Sequence, residues 1–592
     1  MRRMHVLAAA AIAIVILVLA GWLVLAPGWA IRLAQDQVAQ QLGRTLEVKG
    51  GAGLEFTPRL AIRLDNVSLS NPAGQDGSFI VARSVHIPVG VLGLITRHAD
   101  LSVLDIDDPE FAFLVNERSE ASWAFAAVKT PSPLTLNVAN GAMRFYDART
   151  QQAFSFSGAR LLVSIGAEGD VAVTGTADIG GRLAKIDAKA RSLARIHEDG
   201  SPLDLTVEAP EGSASFTGRL STAQSLNLAG SVAIASPDLR AAAHWAGVAV
   251  EPRPGDNSLS ITGALESAGR AFAIKQAQVK FGKMVATGDV VLDLRGQVPK
   301  LQAALASPEI GLDPFLPDSG RSAGQWGTKP LGFAALKSFD AELTVETQML
   351  RHGNTAAGPS RIVVTLADGA LKSSLVFPSI GQGKSELEAG IDAKAIPPSF
   401  SLNVKAEEAD MQSLLPGVFA MPWLSGKGGF DVSLTGSGHT QQEIIGTLNG
   451  NMTVTLADGA IAGPDLSTAL ATVSQRVLEG WADANPGQTP FSVLSGTASV
   501  RDGIITIETG RLESVTHSIA VKGDIDLLRH AVDLRAEPRI ITADGLSAAF
   551  PVPVIIKGPW DKPRIYPDLP DILANPKAAY EQLKAMGLPA SN

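Results

Sequence analysis

The first 31 positions contain the longest apolar run of the chain. Val6 to Ile31 contains no charged residue, and Val6–Ala26 is built almost entirely from Ala, Ile, Val and Leu. As a helix, residues 6–26 would extend about 31 Å, enough to cross the hydrocarbon core of a bilayer. We therefore predict a transmembrane segment over residues 6–26. The residues that mark it are Val6, Ile12, Ile16, Trp22 and Ala26.

The residues before this segment predict its orientation. Arg2 and Arg3 precede the apolar run, so the positive-inside rule places residues 1–5 in the cytoplasm and the rest of the chain beyond the membrane. The alternative is a cleaved signal peptide, whose apolar region is only about 7–15 residues long and ends in a small-x-small cleavage site. The longer run here, ending in Leu23–Pro27, favours an uncleaved signal anchor.

After the anchor the apolar spacing changes twice. Trp29–Leu42 carries Ile31, Ala34, Val38 and Leu42 at helical spacing, and Gly43 follows, which predicts a short helix. From Leu60 the period becomes two, which predicts strands with one apolar and one polar face. Further alternating runs are Leu134–Val138, Leu226–Ile234, Leu259–Leu265, Phe339–Val345, Phe400–Val404, Phe430–Leu434 and Ile519–Leu527.

Four dipeptides between the alternating runs predict hairpin turns: Asn140-Gly141, Asp368-Gly369, Asp458-Gly459 and Asp502-Gly503. Asn-Gly and Asp-Gly favour the tight turns that join antiparallel strands. A largely antiparallel sheet is therefore expected. Three further helices are predicted: a short one over Leu239–Val248, one over 464–482, where packing onto the sheet is favoured over a lipid-facing surface, and one within 569–592.

Internal echoes predict a diverged duplication. Phe339-Asp340-x-x-Leu343-Thr344 returns 91 residues later as Phe430-Asp431-x-x-Leu434-Thr435. The hexapeptide at 365–370 returns unchanged at 455–460. Residues 301–317 and 400–416 form a looser pair, each predicted to run from a strand into a short helix. Three echoes in the same order favour a repetitive β-region.

Composition narrows the function more by exclusion than by assignment. The 592 residues carry 50 Lys and Arg against 59 Asp and Glu, a net charge of −9, and no cysteine. The missing cysteine excludes thiolate metal sites, disulfides and a cysteine nucleophile. The acidic balance and the lack of basic runs argue against nucleic acid as a partner.

No catalytic motif is complete. His197-Glu198 begins like a zinc-protease motif, but Ser201 stands where the second histidine is needed. Gly383-Lys384-Ser385 resembles the end of a phosphate-binding loop, but Pro378 occupies the position of its first glycine. We therefore expect a non-enzymatic protein with no catalytic residues, no metal ligands and no cofactor.

A sheet with one apolar face must cover that face with another layer or present it to a ligand. Few residues are predicted to be helical, which leaves a sandwich or barrel core, or an open curved groove whose lining suits acyl chains. About 30 strands at ~4.8 Å spacing would give a groove on the order of 140 Å long. Burial in a closed core is the alternative for each candidate lining residue. The candidates are Leu60, Ile62, Leu64, Phe339, Leu343, Phe430 and Leu434.

Several short segments match a known family pattern. In the first 125 residues they are Leu42–Leu46, Pro58–Leu60, Leu64–Leu69 with Asn71-Pro72, Val89–Ile95, Pro109–Phe111 and Trp123–Phe125. Towards the C-terminus they are Leu456–Gly459, the predicted helix after Pro464, Gly496–Gly510 and Gly558–Arg564. Through these segments the sequence resembles the AsmA family of inner-membrane-anchored envelope proteins. Ser122 departs from the pattern, since relatives tend to carry asparagine there, and residues 150–330 match in strand pattern only.

The resemblance implies a mainly β fold, in which a transmembrane helix precedes an elongated, curved, largely antiparallel β-groove with a few short helices and a C-terminal helix. The expected regions are the anchor (6–26), an AsmA N-terminal-like region (27–130), a repetitive groove (131–425), an AsmA C-terminal-like region (426–568) and a tail (569–592). It also implies a bacterial periplasmic location, kinship with bridge-like lipid carriers and no catalytic residues.

The expected function is therefore carriage of phospholipid between the inner and outer membranes, in support of outer-membrane biogenesis and integrity. Expected partners are phospholipids and the inner membrane, with a component of the outer membrane left open and nucleic acid excluded. The main rival is an interaction protein that assists or restrains outer-membrane protein assembly through its sheet edges. An envelope enzyme ranks last, because the sequence displays no cluster of carboxylates and no nucleophile–base pair.

Overall fold

The structure is a computed structural model that describes residues 28–568 and residue 574, with gaps. The gaps are 57–58, 97, 124–132, 150, 192–194, 197–198, 224, 246–255, 314–325, 353–354, 379–383, 411–423, 465–485, 516, 542–546, 550–552 and 561–562. The predicted anchor over 6–26 lies outside the described residues. So do nearly all residues of the predicted helices over 464–482 and within 569–592. Among the described residues, none of the helices combines the length and the apolar character that a membrane crossing requires.

Strands make up most of the described chain, and helices are few and short. The helices are α1 (Gly28–Leu42), α2 (Val91–Thr96), α3 (Leu239–Trp245) and α4 (Gln441–Gly446), with a 3₁₀ turn at Ala334–Lys337. The strands are β1 (Leu46–Glu55), β2 (Ala61–Ser70), β3 (Ser78–Pro88), β4 (Val103–Asp107), β5 (Glu110–Val115), β6 (Leu134–Asp147), β7 (Gln152–Ile165), β8 (Val171–Ile179), β9 (Arg182–Ala190), β10 (Ser201–Ala209), β11 (Gly212–Ser221), β12 (Asn227–Ser236), β13 (Leu259–Ala268), β14 (Ala271–Phe281), β15 (Met284–Asp293), β16 (Lys300–Gly311), β17 (Asp340–His352), β18 (Thr355–Ala357), β19 (Ser360–Ala367), β20 (Ala370–Pro378), β21 (Lys384–Asp392), β22 (Ser399–Asp410), β23 (Lys427–Ser437), β24 (Asn449–Pro464), β25 (Pro486–Arg501), β26 (Ile504–Glu513), β27 (His517–Asp526), β28 (Ala531–Ile541), β29 (Ser547–Ala549), β30 (Val554–Pro559) and β31 (Arg564–Pro567). The predicted mainly β fold is confirmed.

The chain forms two compact units. Unit 1 comprises Met1–Val248, Asp256–Lys283 and Asp289–Gln297, and unit 2 comprises Ala249–Gly255, Met284–Gly288 and Val298–Asn592.

Unit 1 is a sheet in which strands follow one another in nearly sequential order. β1, β2 and β3 pair antiparallel, and β3 also pairs antiparallel with both β4 and β5. β4 and β5 lie parallel to β6, after which β6 to β14 form an antiparallel meander.

Unit 2 repeats this plan. β16 lies parallel to β17, and an antiparallel series then runs from β17 through β19 to β28 and on to β30 and β31. The short strands β18 and β29 pair with β17 and β28. The largely antiparallel prediction is confirmed. The parallel steps are the exceptions, and each requires a long connection, 116–133 in unit 1 and 312–339 in unit 2.

Two of the four predicted hairpin turns are confirmed. Asp368-Gly369 joins β19 to β20, and Asp502-Gly503 joins β25 to β26. Both residues of each turn have positive φ, +52° and +77° in the first and +48° and +76° in the second. This is the geometry of a type I′ turn, whose twist matches that of the strands it joins.

The other two predicted turns are wrong. Asn140-Gly141 lies inside β6 and Asp458-Gly459 lies inside β24. Asn140 has a φ of +54° and Asp458 one of +47°, so each is left-handed while its strand continues. The register of β6 against β7 shifts between Val138 and Gly141, which identifies a β-bulge. The same dipeptides that favour a hairpin turn therefore also support a bulge, because both need a residue that tolerates positive φ.

The bulges keep apolar side chains on one face. Left-handed residues also occur inside β14 at Gln276 and inside β22 at Glu408. On the two sides of each of these bulges, buried residues change from even to odd positions, from Ile274 to Ala277 and from Ala406 to Ala409. Because side chains of a regular strand alternate with a period of two, one extra residue is needed to return an odd position to the apolar face.

The identical hexapeptides at 365–370 and 455–460 adopt different structures. The first forms the turn between β19 and β20, whereas the second continues as β24 to Pro464. In β24 the continuation pairs with the first part of β25, and the Ser425 hydroxyl exchanges hydrogen bonds with the backbone of Ala460. Neighbouring strands therefore decide between turn and bulge where the local sequence does not.

The predicted helix over Trp29–Leu42 is confirmed as α1. Its Ala30 and Ala34 pack into one buried cluster with Ile62, Leu64 and Ile87. Gly43, with a φ of +63°, ends the helix and turns the chain towards β1. The first strands of unit 1 are thus covered by a helix.

The two identical hexapeptides, a turn at 365–370 and a continuing strand at 455–460, allow a matched test of their different structures. Gly369→Asn is expected to cost less than about 1 kcal/mol, because asparagine tolerates the left-handed region. An added Cβ there would have as its nearest atom the flexible Lys337 Cγ, 3.4 Å away. Gly459→Asn is expected to cost about 3 kcal/mol, because the Cβ would collide with the carbonyl oxygen of Ser425. The measurement is urea unfolding of both full-length variants, and equal midpoints would contradict the two different structures.

Candidate functional site

The strand register of unit 2 gathers apolar side chains onto one continuous face. Leu402 in β22 lies opposite Ala389 in β21 and Leu434 in β23. The same relation recurs at every step from β16 to β30. Its members include Leu305, Val345, Ile362, Leu375, Leu387, Leu402, Leu434, Met452, Val454, Ile505, Ile525, Leu534 and Ile556. We call this surface the apolar face of unit 2.

This face is only partly covered. Its members just named are all half-buried. Fully buried side chains, such as Leu456, Leu512 and Ile519, form a cluster against which Val454 and Leu494 pack. The apolar face is therefore neither fully buried nor fully exposed. Its side chains retain exposed apolar area that a ligand could cover.

The opposite face of unit 2 is polar. Lys300 in β16 pairs with Glu342 in β17 at 2.7 Å, and Lys557 in β30 pairs with Asp533 in β28 at 2.5 Å. The hydrogen bonds from Lys300 and Gln302 hold the pKa of Glu342 below its usual value. The sheet therefore keeps its charges on the side away from the apolar face.

A depression of about 820 Å³ lies along β19 to β24. Its lining is mixed, with polar residues such as Thr365, Ser374 and Asn403 beside apolar residues such as Leu371, Ile391 and Phe400. Ile391 lies opposite Phe400 in the same alternation as Ala389 and Leu402, so the depression is not confined to the polar face.

Unit 1 has an apolar face of the same kind. Phe216 lies opposite Leu205 and Val232, and Ile261 lies opposite Ile234 and Val279. Phe216, Val232, Leu265, Ile274 and Ala277 form its buried cluster.

The seven residues predicted to line a groove do not share one environment. Ile62 and Leu64 are 0% and 1% exposed in the cluster that contains α1, so protein covers them. Leu60 is half-buried beside the same cluster.

The other four are in unit 2 and are half-buried. They are Phe339, Leu343, Phe430 and Leu434. Leu343 in β17 and Leu434 in β23 belong to the apolar face, and Phe430 packs against the buried cluster that contains Leu456. Like Leu60, these four side chains therefore keep part of their surface exposed.

A buried arginine near the start of unit 1 joins segments that are distant in the sequence. Arg44 is 4% exposed, donates to the carbonyl oxygens of Ser122 (2.7 Å) and Ser70 (3.2 Å), and lies 5.3 Å from the ring centroid of Phe79. Burial lowers its pKa to about 10, which leaves it charged at neutral pH. The partners lie 26 and 78 residues away, so local sequence carries no signal for them.

Ser122, which departs from the family pattern, is well satisfied. It is 0% exposed, its hydroxyl donates to the carbonyl of Ala112 (2.7 Å) and accepts from the backbone N–H of Leu114 (2.8 Å). The neighbouring Trp123 ring lies 5.6 Å from that of Phe113 and 6.2 Å from that of Phe145. Ser122 and Trp123 together fix the connection after β5 onto the sheet.

A polar cluster on β1, β3 and β4 contains residue types that occur in hydrolases. His86 lies between Glu55 (Nδ1 to Oε2, 2.6 Å) and Asp107 (Nε2 to Oδ2, 3.0 Å), and Ser84 Oγ is 3.1 Å from Nε2. However, Ser84 is 3% exposed and its hydroxyl donates to Asp107. A nucleophile must reach substrate and pass its proton to the base, so this arrangement supports cross-strand pairing rather than catalysis.

The part of the chain that the structure describes contains no group of three or more histidine, aspartate or glutamate residues arranged to hold a metal ion.

The bulges of unit 1 carry a second polar network with a pH-dependent consequence. Hydrogen bonds from Asn140 and then Arg83 lower the pKa of Asp108, which joins β4 to β5. Because the folded-state pKa lies below that of the unfolded chain, this contribution is present at neutral pH. It is lost as the pH falls through the unfolded value of about 3.9 and then through the lower folded value.

Asp108→Asn is therefore expected to reduce the loss of folding stability that acid causes in unit 1. The measurement is the urea midpoint of the full chain at pH 7 and at pH 3, with Asp76→Asn at an exposed loop position as the matched control. Between pH 7 and pH 3, the urea midpoints of wild type and of the control should fall by more than the midpoint of Asp108→Asn. An identical loss in all three proteins would contradict the role assigned to Asp108.

Comparison with known proteins places these features in a family. The family model for the AsmA family matches residues 1–157 and 337–509, which together exceed half of the chain. The first segment contains α1, Arg44 and the His86 cluster, and the second contains much of the apolar face of unit 2. Neither the curated proteins nor the solved structures give a significant match. The chain therefore belongs to the AsmA family.

Proposed function

We propose that this protein is a non-enzymatic carrier of phospholipid in the bacterial envelope, in which the apolar faces of the sheets cover acyl chains. The observation that carries the proposal is the apolar face of unit 2, which is continuous from strand to strand and only half-buried. Membership of the AsmA family supports an envelope role.

The energetics favour such a surface over free diffusion of lipid. Each CH₂ group removed from water contributes about 0.8 kcal/mol, so two acyl chains in water carry a penalty of many kcal/mol. A half-buried strip of Leu, Ile, Val and Met can replace that water along the chain. The polar groups of the lipid can meanwhile remain in solvent, so no charged group needs to be buried.

The anchor and its topology belong to the same proposal. Residues 6–26 would hold the chain in the inner membrane with Arg2 and Arg3 on the cytoplasmic side, and the chain after residue 26 would lie in the periplasm. Transfer from inner to outer membrane would follow from a protein fixed at one membrane and exposing acyl-binding strands beyond it.

The geometry of the His86 cluster supports the non-enzymatic part of the proposal. This cluster brings a serine, a histidine and carboxylates together, but its serine is buried and donates its proton to Asp107. We therefore assign the cluster to holding β1, β3 and β4 together.

Leu434→Asp tests the proposal at the middle of the apolar face. Desolvating the carboxylate costs at least about 2 kcal/mol, so lipid affinity at this position should fall by on the order of tenfold or more. The measurement is the phospholipid that co-purifies with the full-length protein, quantified by mass spectrometry. Ser433→Asp is the matched control, since the exposed Ser433 precedes Leu434 on the same strand and its side chain lies on the polar face.

We expect wild type and Ser433→Asp to carry phospholipid and Leu434→Asp to carry much less. Unfolding midpoints are measured in parallel, and Leu434→Gln replaces Leu434→Asp if the aspartate variant unfolds. Phospholipid retained equally by both variants, or missing from wild type, would contradict the proposal.

A further inference from the structure

Four large apolar side chains of unit 1 are exposed to solvent close to one another in the fold. Their exposed fractions are 68% for Phe56, 68% for Val91, 75% for Leu92 and 59% for Ile95. We call them the α2 patch. A contiguous group of exposed apolar side chains usually marks a surface that contacts another molecule or a membrane.

Strand pairing places the members of the patch at the same end of the sheet. Glu55, the last residue of β1, lies opposite Ala61, and Ala61 lies opposite Pro88, the last residue of β3. Phe56 directly follows β1, and α2 begins three residues after β3. The patch therefore forms at the edge where β1 and β3 end and β2 begins.

The orientation of α2 is fixed by its inner side. Leu94 is 4% exposed and packs in the buried cluster with Ala30 of α1. The backbone N–H of His98 donates to the carbonyl of Gly93 at 2.8 Å, and a Cβ on Gly93 would lie 2.6 Å from the carbonyl oxygen of His98. The chain that follows α2 therefore passes close against Gly93, and the burial of Leu94 leaves Val91, Leu92 and Ile95 exposed on the outer side of the helix.

The first residue of α1 lies at the same end. Ala30 and Ala34 pack with Ile62, Val89 and Leu94, near the start of β2, the end of β3 and α2. Further along α1, Val38 and Leu42 pack with Leu69 and Phe79, which lie at the opposite ends of β2 and β3. The helix therefore runs away from the α2 patch, and the chain enters unit 1 beside it.

The predicted anchor ends close to this point. Residues 6–26 are the predicted membrane span, and Gly28 begins α1, so two residue steps separate them. Two steps of extended chain reach at most about 7 Å. If residues 6–26 cross the bilayer, its surface must lie next to the end of unit 1 that carries the α2 patch.

Charge is compatible with contact to a lipid surface. α2 contains no charged residue, and the first turn of α1 has no acidic residue. Neither helix therefore presents a carboxylate at its start to the headgroups of a bilayer. The apolar faces of helices that lie at a bilayer surface are buried about 5–10 Å into the boundary between headgroups and acyl chains.

We propose that the α2 patch inserts into the outer surface of the phospholipid bilayer that residues 6–26 span. The inference rests on the anchor within the proposed function. The patch is a second membrane contact beside the anchor, and the two contacts together fix the orientation of the first strands relative to the leaflet. With the anchor as its only membrane contact, unit 1 could rotate relative to the leaflet.

The absence of cysteine from the chain makes a site-specific test direct. Leu92→Cys in the full-length protein is labelled with an environment-sensitive fluorophore and reconstituted into vesicles of phosphatidylethanolamine and phosphatidylglycerol that contain quencher-labelled lipid. Leu183→Cys is the matched control, since Leu183 is a 63% exposed leucine of β9 in the same unit. Val91→Cys is the second variant if labelled Leu92→Cys fails to fold.

We expect the label at position 92 to lose fluorescence to the lipid quencher, at a depth of about 5–10 Å, while the label at position 183 does not. Equal quenching at both positions, or none at position 92, would overturn the inference, and the latter includes capture of the patch by a protein rather than lipid. Phospholipid co-purifying with Leu92→Cys is measured separately. Co-purified lipid without quenching would overturn only the α2 contact, and quenching without co-purified lipid would overturn only the proposed carriage.

Discussion

In-register hydrogen bonding between sequential strands is the constraint on which the rest of this structure depends. In a meander, the hydrogen bonds to the preceding strand set the register of each strand. A slip of a single residue would exchange the apolar and polar faces of the strand that slips. Within unit 2, the ladder from β17 to β28 keeps Leu343 and Leu434 on one side and the pairs of Lys300 and Lys557 on the other. The one-sided surface is therefore a property of the register rather than of any single strand.

The bulges make that register compatible with long strands. Left-handed residues at Asn140, Gln276, Glu408 and Asp458 each add a residue where the apolar alternation changes phase. Without them, the second half of β22 would turn Ala409 away from the cluster that contains Ala406. The polar side chains at some bulges have a second role, since Asn140 donates to Asp108 and holds the junction of β4 and β5.

The spacing of apolar residues predicts the helices and strands whose formation depends on neighbouring residues in the sequence. The alternation of Leu60, Ile62 and Leu64 and the helical spacing of α1 both reflect burial of one face, and the structure has them as expected. The turn at Asp368-Gly369 followed from two residues that accept positive φ. The turn prediction for the identical dipeptide at 458–459 is wrong because the structure there depends on β25 and Ser425, which are distant in sequence.

Long-range contacts explain what sequence could not supply. Arg44 meets its partners, and Ser84, His86 and Glu55 come together, only when the strands pair. In the same way, α1 covers Ile62 and Leu64 only when β2 folds back against the helix. The candidate lining therefore divides into residues covered by protein and residues left half-exposed. Among the predicted lining residues, Leu343 and Leu434 of the apolar face of unit 2 are on the half-exposed side of that division.

The most direct test of the central claim is site-specific photocrosslinking in cells. A photoreactive amino acid is placed in the full chain at Leu402, on the apolar face, and separately at Asn403, its exposed neighbour on the polar face. The account predicts phospholipid adducts, identified by mass spectrometry, from position 402 and none from position 403. Adducts from both positions equally, or from neither, would contradict a lipid-carrying apolar face.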